Sequence, residues 1–187
     1  MILFINACVR KDSRTKKLAE VLLSKLEGDV VETDLGKIRF PIADEEFISR
    51  RDELEKKCCW DDPMFDLAKQ FASADQVVIA APYWDLSFPA ALKQYFEQIN
   101  VLGITFEYSP QGTPIALCKA SRLYYVTTAG GAFVPEEFGF GYVKALAQGF
   151  YGINDVRQIR AVGLDIEGAD IDAIMDKAVE SCNNMLV

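Results

Sequence analysis

With 187 residues, 50% of them hydrophobic and 26% charged, the chain has the balance of a folded globular protein, and its length predicts one domain spanning 1–187. A formal net charge of −8 repels phosphate backbones and anionic headgroups, so neither nucleic acid nor a membrane surface is an expected partner. The complete absence of histidine excludes Ser-His-Asp triads, Cys-His dyads and His-ligated metals.

The amino terminus, Met1-Ile2-Leu3-Phe4-Ile5-Asn6, lacks a basic leader and is followed by no long apolar stretch, which predicts a cytoplasmic protein. The apolar run itself reads as a strand buried on both faces of a parallel sheet. Asp12 or Ser13 can then cap a helix whose apolar positions Leu18, Val21, Leu22 and Leu26 keep helical spacing until Gly28. Val30 to Thr33 gives a second strand, and the charged stretch from Gly36 to about Pro63 holds one helix around Glu45 to Lys57.

Asp62-Pro63 opens a helix running through Phe71, and Gln76 to Ala81 is the clearest buried strand of the chain. A helix from Pro89 to Asn100, an extended piece from Ile104 to Tyr108 and a turn at Pro110-Gln111-Gly112 follow. Leu123 to Thr127 and Val156 to Val162 make the fourth and fifth strands, with helices over Tyr142 to Tyr151 and Ile171 to Met185. Strands alternating with helices predict an α/β doubly wound three-layer sandwich, its five parallel strands covered by helices on both faces.

In such a sheet ligands bind beyond the carboxyl ends of the strands, which directs attention to three loops. The first, Ala7 to Thr15, combines Arg10, Ser13, Arg14 and Thr15 at a helix start, a composition suited to a terminal phosphate; it lacks the glycine patterns of pyrophosphate and nucleotide-triphosphate loops. Ser13 and Thr15 can equally serve as plain helix caps. The second loop, Pro82-Tyr83-Trp84-Asp85-Leu86-Ser87-Phe88-Pro89, puts large aromatics where a connection is ordinarily short and polar, offering a surface for a flat ligand or else packing under neighbouring helices. The third, Thr127-Thr128-Ala129-Gly130-Gly131-Ala132-Phe133, has paired glycines that admit close backbone approach.

Asp85 can relay a proton or cap the following helix, capping being the commoner role for such a residue. Cys8 can be a reactive thiol at a helix terminus or a buried inert one. The five cysteines, Cys8, Cys58, Cys59, Cys118 and Cys182, show no zinc-ligand spacing and read as reduced thiols, so no metal site is expected.

The stretches Ser13-Arg14-Thr15, Ala80-Ala81-Pro82-Tyr83-Trp84-Asp85-Leu86, Leu92 to Glu97, Gly103 to Tyr108 and Thr128-Ala129-Gly130-Gly131 together resemble the flavodoxin-like NAD(P)H:quinone oxidoreductase and FMN-dependent NADH azoreductase family along nearly the whole chain. The resemblance implies the flavodoxin-like fold, with strand order 2-1-3-4-5, and FMN as cofactor, its phosphate on Ser13, Arg14 and Thr15, with Cys8 and Arg10 in the same loop. The isoalloxazine would lie along Pro82, Tyr83, Trp84, Asp85 and Leu86, and its pyrimidine side against Thr128, Ala129, Gly130 and Gly131. It further implies ping-pong hydride transfer from NADH or NADPH to a quinone, azo or similar aromatic acceptor, in a pocket walled by Trp84 and Phe133, with no obligatory acid or base. A homodimer with flavin sites near the interface is expected, the charged segment Phe47 to Asp61 resembling those that reach over a partner's flavin. The rival readings are a flavodoxin-type carrier of single electrons and a flavodoxin-like binding protein without flavin.

Overall fold

The computed structural model of the protein describes residues 1–185. Its centre is a five-stranded sheet built from β1 (Ile2–Asn6), β2 (Val30–Asp34), β3 (Gln76–Ala80), β6 (Arg122–Thr128) and β7 (Asp155–Ala161), in the order β2-β1-β3-β6-β7. Every pairing is parallel, with Ile2 opposite both Val30 and Gln76 and with Val78 opposite Tyr124. This is the predicted 2-1-3-4-5 arrangement.

The central strands β1, β3 and β6 are buried on both faces, which is why they appear in the sequence as largely apolar runs, whereas the edge strands β2 and β7 are partly exposed and carry polar residues. Leu3, Ile5, Val77, Ile79, Leu123 and Tyr125 face one core together with residues of α3 (Asp66–Ser73), α4 (Ala90–Ile99) and α5 (Phe140–Gly149). Ile2, Phe4, Val78, Ala80, Tyr124 and Val126 face the other, covered by α1 (Arg14–Leu23) and α6 (Ile171–Asn184). In the first core Phe71 sits edge-on to Tyr151 with ring centroids 4.7 Å apart.

Three local departures from the sequence expectations have physical causes. The helix expected from Asp62 begins as a 3-10 turn over Pro63–Phe65 before α3 starts, because Pro63 has no N–H and Asp62 Oδ1 takes the Met64 amide at 2.9 Å. Helix α5 begins two residues earlier than its apolar pattern suggests, using Gly139 as its N-cap residue. After β4 (Phe106–Tyr108), a further strand, β5 (Pro114–Ala116), closes an antiparallel hairpin outside the main sheet, with Tyr108 opposite Pro114. Proline at its first residue and a length of three concealed it as a strand.

Helix α2 (Glu45–Lys56) lies in the charged excursion and buries none of its residues. It ends in a six-to-one and five-to-two pair of backbone bonds, Cys59 N–H to Leu54 O at 2.9 Å and Cys58 N–H to Glu55 O at 3.0 Å. That geometry requires a left-handed residue, and Cys58 supplies it at φ 52°.

Candidate functional site

The chain reverses direction across the sheet between β1 and β3, and the loops after β1, β3, β6 and β7 meet there around a cleft of about 390 Å³. Its lining contains Arg10, Ser13, Arg14, Thr15, Pro82, Tyr83, Trp84, Thr128, Ala129 and Gly130, so most of the residues singled out in the three loops converge on one space. That volume is within the range of small-ligand sites.

The first loop ends on Ser13, whose Oγ accepts the Lys16 amide at 3.2 Å and caps α1. The cap uses an acceptor lone pair and leaves the hydroxyl proton free to donate. The N–H groups of the first turn of a ten-residue helix therefore open into the cleft beside the guanidinium of Arg14, the combination that suits a phosphate. Thr15 Oγ1 and Thr128 Oγ1 share a hydrogen bond of 2.7 Å, tying the first loop to the third at a buried point. Cys8 takes no place on the lining. Its thiol is buried against the Ala80 carbonyl at 3.7 Å, and burial pushes its pKa up against the opposing pull of Ser13 and Lys16. Burial and the raised pKa favour the inert of the two readings of this thiol.

The second loop is shaped by a tight turn in which the Trp84 and Ser87 backbones exchange two hydrogen bonds, at 3.0 and 2.7 Å. Both central residues are left-handed, Asp85 at φ 48° and Leu86 at φ 68°. A turn of that kind ordinarily takes Asn-Gly, and holding a leucine there stores about 1–2 kcal/mol of strain next to the cleft. The Asp85 and Leu86 amides take no partner among the described residues. Asp85 does not cap the next helix, as a residue in this position was expected to do: α4 starts at Ala90 with Pro89 as its N-cap and no side-chain cap. The Ser87 hydroxyl is spent on Phe138 O at 2.6 Å, which anchors the turn to the loop before α5.

Trp84 lies on the cleft wall with 40% of its surface exposed, a large aromatic left available to a flat partner. The Tyr83 hydroxyl is buried without a protein partner among the described residues. Burial, with Glu137 nearby, raises its pKa, so it is a neutral donor at physiological pH. Phe133 is 77% exposed and, like Gly131, lies outside the lining.

Val9 and Asp12 of the first loop also line the cleft, as do Leu164 and Asp165, which lie in none of the three loops. Leu164 and Asp165 follow β7, a loop without glycine pairs, hydroxyls or aromatics to mark it. Only the neighbour relation of β6 and β7 brings it to the cleft.

Over residues 1–186 the chain matches the family described as having a flavodoxin-like fold. The chain belongs to that family. Its relatives include the FMN-dependent NADH:quinone oxidoreductase of Clostridium beijerinckii, 32% identical over 193 residues covering 96% of this chain and 94% of the relative. The second such enzyme of Clostridium acetobutylicum is 34% identical with the same coverage. Among solved structures of the flavodoxin-like fold, the azoreductase from Bacillus anthracis str. Sterne superposes with a TM-score of 0.84 at 25% identity, covering 98% of this chain and 96% of that one.

Proposed function

We propose that this chain is an FMN-dependent NADH:quinone oxidoreductase that also accepts azo and similar aromatic compounds. The observation that carries the reading is the convergence, in one cleft, of a helix N-terminus with hydroxyls and Arg14 at one end and of Tyr83 and Trp84 along one wall. Those are the two ends of a flat ring system bearing a phosphate. Relatives at 32% and 34% identity over nearly the full chain, named for this activity, support the same reading.

In this assignment Ser13, Arg14, Thr15 and the first-turn amides of α1 hold the FMN phosphate, with Arg10 as a further cation in the loop. Pro82, Tyr83, Trp84 and the free amides of Asp85 and Leu86 flank the isoalloxazine, and Thr128, Ala129, Gly130 and Gly131 border its opposite edge. Cys8 supports the loop from behind, and Phe133 reaches the acceptor from the rim. When bound, FMN supplies the hydride acceptor and donor that a chain without histidine lacks. The protein's contribution is to orient the ring, keep water from it and offer apolar surface to nicotinamide and acceptor in turn.

The chain is taken to act as a single domain and as a homodimer, with α2 and its exposed face serving the partner. Five free cysteines, two of them exposed, accord with a reducing cytoplasmic compartment. No helix of the described residues is long and apolar enough to cross a membrane.

The test is the visible spectrum of purified protein titrated with FMN and then, without oxygen, with NADH. Flavin bands near ~370 and ~450 nm that bleach on adding NADH, and return on adding a quinone, are the expected result. A protein that binds FMN but is not reduced by NADH would be an electron carrier instead, and one that binds no flavin would overturn the assignment.

A further inference from the structure

The cleft offers two cations, Arg10 and Arg14, but it also presents two carboxylates, Asp12 and Asp165. For a site assigned to a phosphate that is an unhelpful balance, since each carboxylate repels the ligand across partly exposed space. Asp165 is not loosely placed. Backbone bonds from Gly163 N–H to Gly131 O at 3.0 Å, Leu164 N–H to Ala129 O at 3.2 Å and Asp165 N–H to Gly130 O at 3.0 Å clip its loop to the glycine loop. Its Oδ2 lies 2.3 Å from where a Cβ on Gly130 would stand, so the absence of a side chain at 130 is what lets the carboxylate sit there. From that position Oδ1 receives Arg14 Nη1 at 2.9 Å, while the same nitrogen reaches Leu164 O at 3.5 Å. The cation nearest the α1 N-terminus is therefore already engaged.

We propose that Asp165 is a built-in competitor for Arg14: it holds the guanidinium until a ligand phosphate displaces it, and so sets how tightly the cleft retains a phosphate-bearing ligand. Asp165 is thus a positioning residue, acting through Arg14. For the cofactor itself the inference rests on the FMN reading above; for the phosphate end it rests on geometry alone.

The experiment compares wild type, Asp165→Asn, Arg14→Gln and the double variant by titration with FMN, riboflavin and inorganic phosphate. Flavin binding is followed by quenching of flavin fluorescence, and phosphate binding by the melting temperature of flavin-free protein. Removing one unit of competing charge from a partly exposed pair should tighten FMN binding about threefold to tenfold. Riboflavin, which has no phosphate, should bind wild type and Asp165→Asn equally. In the Arg14→Gln background the Asp165 substitution should have little further effect.

Weaker or unchanged FMN binding by Asp165→Asn would overturn the proposal. So would a gain shared by riboflavin, which would make the carboxylate a contact to the rest of the flavin, or a gain undiminished without Arg14. If wild type binds no flavin, the FMN reading fails by itself. The proposal then stands or falls on whether phosphate raises the melting temperature of Asp165→Asn more than that of wild type.

Discussion

Two residues on the left-handed side of backbone space show how differently strain can be placed in one chain. Cys58 closes α2 at φ 52°, in a position where glycine would be unstrained, and nothing in the fold needs its thiol there. Replacing it by glycine should raise stability by about 0.5–1 kcal/mol in urea unfolding. Leu86, at φ 68°, is the contrasting case: its strain sits in the turn that follows the cleft-lining Trp84, although neither Asp85 nor Leu86 itself lines the cleft. The paired glycines differ as well. A Cβ on Gly130 would displace the Asp165 carboxylate from its place, whereas one on Gly131 would meet nothing within 4 Å. The sequence marks both as small and cannot say that one of them makes room for a carboxylate.

At the scale of elements, the β6–β7 pair carries a charge cluster at its start. Arg122 on β6 faces Asp155 on β7 in register, and Arg157 binds the same carboxylate at 2.7 Å. The hydrogen bond from Arg157 foremost, opposed in part by burial and reinforced by Arg122, holds the Asp155 carboxyl below the usual aspartate range. A carboxyl depressed by folding gives stability that is complete above its unfolded pKa of about 3.9 and is lost as pH falls through the lower folded value. Melting temperatures of Asp155→Asn and wild type, measured from about pH 6 down to pH 3, should therefore differ most at the upper end and converge at the lower. A constant gap across that range would mean the group acts through hydrogen bonding alone. The elements themselves differ in how visible they are. Strands buried on both faces leave apolar runs that cannot be mistaken, as in Val77 to Ala80. The β4–β5 hairpin and the glycine-led start of α5 are settled by tertiary contacts, such as Gly152 packing close to Ala116 Cβ, and leave no periodic trace.

For the whole molecule, the three-layer α/β architecture followed from alternation of strands and helices together with the handedness of parallel crossovers, and the strand order from the family resemblance. The cleft then followed from the rule that ligands sit where that order reverses. What stayed hidden was the fourth loop, because its claim on the site comes from position in the sheet and not from residue type. The expected homodimer is open to a direct check: light scattering on the FMN-loaded protein should report twice the mass of the 187-residue chain. A monomer that retains full flavin affinity would remove the partner from the site.

The bond between Thr15 and Thr128 joins hydroxyls 113 positions apart, and Asp165 lies further along again. During synthesis the first half of the cleft therefore leaves the ribosome long before the second half exists. A cleft lined by residues that follow β1, β3, β6 and β7 is thus complete only once the chain has been made through Asp165.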